Sequence, residues 1–299
     1  MSDPSHVLKH AAPGLVALAA TAAVATPSTA ELVYGLTTEN SVAVFDTAAP
    51  GVTLDGGFVQ GIAPGESLLA IDYRAATGEL YLLGSQNNFY LFDPVTFDAS
   101  LVGNFAPPSL RGTSFALDFN PAFMDGEFAR IISDTDNNRV ISGETGQYLG
   151  TPDKTPVFYA AGDPNEGENP NIAGIAYTNS FGIPDSTQQY GIDASLGVLT
   201  TVANNDGTLE TVGLLGAMIL TNEVGFDILG TDNTGFAALQ TGINSSLFTV
   251  DLTTGAATEI GEIASGDIIR SLAVVPIPEP TTAAIAGVGL GLLGLRRRR

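Results

Sequence analysis

Short apolar runs broken by Gly, Asp, Asn and Thr recur from residue 31 to residue 276, and none continues with the three-to-four-residue apolar period of a long amphipathic helix. One unit repeats: VAVFDTAAPGVTLDG (42–56), FYLFDPVTFDASLVG (89–103), QYGIDASLGVLTTVA (189–203) and LFTVDLTTGAATEIG (247–261). Each reads as a strand, an Asp-led turn and a second strand. A degenerate copy, NRVISGETGQYLGT (138–151), carries Ser142 where the others carry Asp46, Asp93, Asp193 and Asp251, and the five anchors lie 47, 49, 51 and 58 residues apart. The reason for an acid there is local: its carboxylate accepts N–H groups of the turn that follows, and a nearby glycine supplies positive φ.

A further strand pair precedes each unit, clearest in LLAIDYRAATGELYLLG (68–84), SFALDFNPAFMDGEFARIIS (114–133), NIAGIAYTNSF (171–181) and GFDILGTDNTGFAALQ (225–240). Four strands per repeat of about 50 residues is the pattern of a propeller blade. The first blade is one strand short, having only ELVYGLTT, NSVAVFDT and GVTLDGGFV, while the body ends on a lone strand, IRSLAVVP. Joined, they complete a fifth blade and remove exposed edges. The expected fold is therefore all-β, a single propeller of five four-stranded blades closed by N- and C-terminal strands; a pair of β-sandwiches is the competing arrangement. The segment TPDKTPVFYAAGDPNEGENPN (151–171) is rich in Pro, Asp, Glu and Asn and is expected as a solvated excursion between blades.

The two ends read differently from this body. Residues 1–30 carry Lys9 and His10, an apolar stretch from Leu15 to Val24, and small residues at Ser28 and Ala30, the pattern of a secretory signal cleaved after Ala30; an alanine-rich disordered leader is the alternative. Residues 277–299 carry Pro278-Glu279-Pro280, an uncharged run from Thr281 to Leu295 and Arg296, Arg297, Arg298 and Arg299. The body between them, 31–276, holds six of the 11 basic residues and 30 of the 32 acidic ones, a formal charge of −24 against −21 for the whole chain. Such a surface excludes phosphate-backbone binding and hence nucleic acid as a partner; it suits a soluble monomer or attracts cations.

Cysteine is absent, and both histidines, His6 and His10, lie in the leader. The body therefore cannot run Ser-His-Asp or Cys-His chemistry or hold zinc through imidazole or thiolate, and no catalytic residue is assigned. Carboxylates are what is left. Aligned first strands put Asp72, Asp118 and Asp227 at one blade position, with Ala176 and Ala273 in the other two blades. If these strands line the channel, the three acids converge there and bind a ligand or cation; capping turns is the plainer alternative. Two carboxyls suffice for a glycosidase, although the chain has no Trp for sugar stacking. In SDTDNNR, Asp134, Asp136 and Asn138 alternate as in calcium loops, but Arg139 and Thr145 stand where an EF-hand needs Gly and Glu. A looser Ca²⁺ site and an ordinary Asp/Asn turn both fit, and Ca²⁺ is the one cofactor in view.

The stretches ELVYGLTT, LLAIDYRAATGELYLLG, IISDTDNN, IAYTNSF, QQYGID and NEVGFDILG resemble an uncharacterised domain family of propeller fold found in exported bacterial proteins. That resemblance implies fold and export and no reaction. The tail resembles the PEP-CTERM sorting signal in all three parts and in their order. The resemblance implies an exosortase-type processing enzyme as partner, a Gram-negative host that makes exopolysaccharide, and a membrane-anchored intermediate on its way to the cell surface or beyond. Fifteen helical residues reach only about 22 Å, short of a ~30 Å hydrocarbon core, and the terminal arginines favour the cytoplasmic side, leaving the body periplasmic. The expectation is an exported, non-enzymatic surface or matrix protein that binds exopolysaccharide or protein, with a carboxylate-only glycosidase as the alternative.

Overall fold

The computed structural model describes residues 30–105 and 108–276, and among these the chain forms a five-bladed β-propeller. The first blade contains β1 (Leu32–Thr37), β2 (Ser41–Asp46) and β3 (Ala49–Phe58). The second is β4 (Leu68–Arg74), β5 (Glu79–Gly84), β6 (Asn88–Asp93) and β7 (Asp98–Asn104). The third is β8 (Phe115–Phe119), β9 (Phe128–Ser133), β10 (Asn138–Ser142) and β11 (Tyr148–Asp153). A short β12 (Phe158–Tyr159) precedes the fourth, made of β13 (Ile172–Tyr177), β14 (Gln189–Asp193), β15 (Val198–Val202) and β16 (Thr208–Leu214). The fifth is β17 (Val224–Ile228), β18 (Gly235–Gln240), β19 (Ser245–Val250) and β20 (Ala257–Glu262). Finally β21 (Ile269–Val275) returns to the first blade as its innermost strand, with Leu32 opposite Val275 and Leu36 opposite Ser271.

The innermost strands β21, β4, β8, β13 and β17 pack side by side in a closed ring. Packed on both faces, they are apolar almost throughout: every residue of β8 and β13 is buried, whereas the outermost β20 is largely exposed. The core is correspondingly divided into five apolar clusters, one in each gap between blades. Leu36, Ile71 and Leu82 fill the first gap, Leu83, Phe89 and Phe119 the second, Ile132, Ile172 and Val202 the third, Ile192, Phe226 and Leu239 the fourth, and Phe45, Phe236 and Leu272 the last. Aromatic stacking adds to the second gap, where the Tyr81 ring lies 5.3 Å from Phe89 and 5.0 Å from Phe119.

The repeated acids behave as their position in the sequence predicts. Asp46 Oδ1 accepts from Ala48 N–H at 2.7 Å, Asp93 Oδ1 from Val95 at 2.8 Å, Asp193 Oδ1 from Ser195 and Leu196 at 2.9 and 3.0 Å, and Asp251 Oδ1 from Thr253 at 2.8 Å. Ser142 does the same with its hydroxyl oxygen, accepting from Glu144 and Thr145, each at 3.2 Å. The 151–171 segment departs from its expectation as a solvated excursion. It supplies β12, which runs parallel to β16 as a fifth strand of the fourth blade. Val157 and Tyr159 are buried there, Tyr159 Oη donates to Asp193 Oδ2 at 2.7 Å, and Asp163 accepts from Thr211 N–H at 2.6 Å. Val157 and Tyr159 dock the segment, outweighing the polar flanks, while Phe158 between them stays exposed.

Among the described residues no helix is long and apolar enough to cross a membrane. The leader before Ala30 and the tail from residue 277, with Pro278, Glu279, Pro280 and the four arginines, lie outside the described residues.

The glycine of the repeated turn has a second role besides its positive φ. Gly146 (φ +63°) meets Gly103 on β7 of the preceding blade, where a Cβ on Gly103 would fall 2.2 Å from Thr145 O. Gly255 and Gly213 repeat the arrangement between the fourth and fifth blades, with 2.2 Å from a Gly213 Cβ to Thr254 O. Gly103→Ala is expected to destabilise the fold by about 1–3 kcal/mol through forced separation of two blades. Gly242→Ala, where a Cβ meets nothing within 4 Å, is expected to stay within about 0.5 kcal/mol. Urea unfolding of both variants checks the difference.

Candidate functional site

The innermost strand of a blade is a sheet edge, and alternate N–H groups along it point into the channel without a strand to receive them. A buried amide of this kind needs an acceptor. Asp72, Asp118 and Asp227, on β4, β8 and β17, supply it: each reaches to the next blade in the ring and binds the N–H one residue past its own structural equivalent. Asp72 Oδ2 accepts from Phe119 at 2.8 Å, Asp118 Oδ2 from Tyr177 at 2.9 Å and Asp227 Oδ2 from Val274 at 2.6 Å. The blades that carry Ala176 and Ala273 cannot do this for their successors. There the next Asp closes its own strand instead, Asp227 Oδ1 accepting from Ile228 N–H at 2.6 Å and Asp72 from Tyr73 N–H. Three carboxylates thus satisfy five amides.

The structure therefore brings together the three acids that the sequence placed at one blade position. One oxygen of each lies within 4.8 Å of the others, and the residues are only 3–6% exposed. Burial pushes all three carboxyls up: Asp72 well above the usual range, with the Asp227 charge adding to it; Asp118 likewise, with Asp72 and Asp227 adding; and Asp227 to about 7. Backbone N–H bonds oppose the rise in each case. Near neutral pH the cluster retains protons shared among its members, or offers hard oxygen ligands to a cation. Three acids converging at or below the 5–5.5 Å of retaining glycosidases have suitable chemistry, but substrate access is a separate requirement. The cavities of 600, 180 and 360 Å³ in the described residues are lined elsewhere, none of them by Asp72, Asp118 or Asp227.

Asp134, Asp136 and Asn138 fare differently. Asp134 accepts from Thr113 N–H at 2.9 Å and from the Thr113 hydroxyl, and Asp136 occupies a turn at φ +63° with Oδ1 buried and unpaired. Asn138, at the start of β10, turns to the fourth blade: its Oδ1 accepts from Arg130 and its Nδ2 donates to Thr155 O and Asn204 O. With its only side-chain acceptor facing a guanidinium, Asn138 is no cation ligand, so the alternating pattern does not supply three oxygens to one ion.

Two features were not singled out from the sequence. One is the 600 Å³ groove between the first and second blades, where Tyr34, Tyr73, Glu79, Asp93 and Asp98 face solvent; its residues come from distant parts of the repeat. The other is Arg130, 5% exposed in the third gap beside a 180 Å³ cavity. A lone arginine inside the apolar run FARIIS was the available signal.

The family model described as Domain of unknown function (DUF4394) matches residues 41–273, and the chain belongs to that family. No curated protein matches the chain. Among solved structures it is similar to dihydro-heme d1 dehydrogenase NirN in complex with DHE, at 8% identity over 83% of this chain and 44% of that one, with a TM-score of 0.36. It is also similar to Kuenenia stuttgartiensis hydrazine synthase, at 18% identity over 68% and 52%, with a TM-score of 0.39. The chain thus spans about half the length of these solved chains.

The raised carboxyls fix the sign of a pH effect. A carboxyl whose folded pKa exceeds its unfolded value binds its proton more tightly when folded, so its contribution is full below about pH 4 and is lost as pH rises through about 7. Unfolding free energy is expected to fall between pH 5 and pH 8, with Asp227→Asn flattening the slope by up to about 1.4 kcal/mol per pH unit. Denaturant titrations of wild type and variant at the two pH values measure it.

Proposed function

We propose that this member of the DUF4394 family is a non-enzymatic, exported module that works by binding at or beyond the cell surface. One observation carries the non-enzymatic part: the acids able to run glycosidase chemistry are buried and bonded to the amides that hold the ring together. A catalytic carboxyl needs contact with the substrate or with the attacking water, and these are engaged with backbone. The groove with Tyr34, Tyr73 and three acids supports binding of a hydroxyl-rich chain such as exopolysaccharide, since aromatic faces and carboxylate acceptors together suit sugar rings. A protein segment is the other occupant consistent with it.

Export and sorting rest on the ends of the sequence. The leader, the Pro278-Glu279-Pro280 motif, the short apolar run and Arg296 to Arg299 support passage through a PEP-CTERM route, with cleavage by an exosortase-type enzyme and a transient membrane-anchored state. A calcium ion among the channel carboxylates fits this reading as a structural ligand, and a closed ring with no free inner edge fits a monomer.

A second reading, a carboxylate-only glycosidase, is favoured by the convergence of three acids with raised pKa. Purified protein incubated with a panel of polysaccharides is expected to release no new reducing ends; hydrolysis abolished by Asp118→Asn would establish the enzyme instead. For the sorting proposal the decisive quantity is the intact mass of the protein recovered from its own host. It is expected to begin at Glu31 and to lack the residues after the PEP motif, and a full-length C-terminus refutes the route.

A further inference from the structure

The third gap holds a buried cation that differs from the other buried arginines, Arg74 and Arg139, in having no carboxylate partner. Arg130 is 5% exposed, yet none of the ion pairs among the described residues includes it. Its partners are neutral: Nε donates to Tyr177 Oη at 3.0 Å, one terminal nitrogen to Asn138 Oδ1, and the other to Asn205 Oδ1 at 3.0 Å. A guanidinium carries five N–H donors, so each terminal nitrogen keeps one beyond its single protein partner. A buried charge left with neutral partners is costly.

The cavity beside it, about 180 Å³, has room for about six waters and is smaller than a drug-sized site. Its polar wall offers mainly donors. Asn204 spends its Oδ1 on Tyr177 Oη–H at 2.7 Å and Asn205 spends its Oδ1 on Arg130, which leaves their amide N–H groups. The remaining wall is apolar, with Phe123 and Phe128 paired at 5.5 Å between ring centroids, Val140 and Leu149. Behind Leu149, whose carbonyl takes the Lys154 ammonium at 2.8 Å, a second cation adds to the field; burial and then the charge of Arg130 hold Lys154 below its ordinary pKa. On a chain of formal charge −21, this is a locally positive pocket.

We propose that the cavity between the third and fourth blades binds a small organic carboxylate, the carboxylate on the free N–H groups of Arg130 and the body of the molecule against Phe123 and Phe128. The same chemistry is offered by a free organic acid and by a uronate unit of an acidic polysaccharide. The proposal deepens the binding-module reading by naming a ligand class. It requires neither the sorting route nor the groove between the first and second blades.

Calorimetric titration of the purified protein with glucuronate, glucose and benzoate tests it. Glucuronate or benzoate is expected to bind saturably at millimolar concentration or below, and glucose is not. Saturation by glucuronate and its oligosaccharides with none by benzoate identifies a uronate; saturation by benzoate identifies a free acid. Arg130→Met is expected to weaken binding about tenfold or more, the loss of one charge-assisted hydrogen-bonded contact. Asn205→Asp, at an exposed position, sets a carboxylate against Arg130 and is expected to weaken binding by a similar factor, so the test stands even where Arg130→Met fails to fold. No saturation by either carboxylate, equal binding of glucose, or wild-type affinity in folded Arg130→Met or in Asn205→Asp overturns the proposal. Cleavage of an oligosaccharide in the same titration refutes the non-enzymatic reading and leaves the carboxylate assignment standing.

Discussion

A ring of sheets has an inner rim made entirely of strand edges, and the amides on that rim must find acceptors where no further strand can fit. In this propeller the solution is a carboxylate relay: Asp72, Asp118 and Asp227 each bind an amide of the following blade, and two of them also bind one on their own strand. The arrangement ties neighbouring blades together at the axis. It also makes the acids interdependent, because holding three carboxyls this close and this dry raises their pKa values. Ser271 adds a neutral version of the same tie, its hydroxyl bridging Ile71 N–H and C=O at 3.1 Å where the closing strand meets the second blade.

Away from the axis the blades are joined by apolar clusters, and the third gap adds a polar seam to its cluster. Arg130, Tyr177, Asn138 and Asn204 form a polar seam there, and the 151–171 segment brings Val157 and Tyr159 to cover part of it. The two features belong together. Asn138 of the seam donates to Thr155 O at 3.1 Å, which ties the segment that carries the extra strand directly to the polar network.

What could be read from the sequence was what depends on local rules or on the repeat. Asp46, Asp93, Asp193, Asp251 and Ser142 act within a few residues of themselves, so their turns were legible directly. Asp72, Asp118 and Asp227 were legible as a set because strands of equal rank in each blade stand at equal depth in the ring. That each carboxylate would be engaged by the next blade was not, since the contact exists only once the ring closes. Asn138 misled for a related reason. In the sequence it continues an alternating run of oxygen-bearing side chains, but it is the first residue of a strand, and the strand directs it across a gap toward Arg130. The docking of residues 151–171 was hidden by composition, where the buried Val157 and Tyr159 outweighed a polar majority.

Pairing the first strand with the last has a geometric corollary. Leu32 stands opposite Val275, so the chain enters and leaves the ring at adjacent points on one blade. Anything joined to either end, whether a leader, an anchor or a fused partner, is held by the same handle. Load applied through that handle passes first into β1 and β21, the two strands whose pairing closes the circle, and the seam between the third and fourth blades lies on the far side of the ring from it.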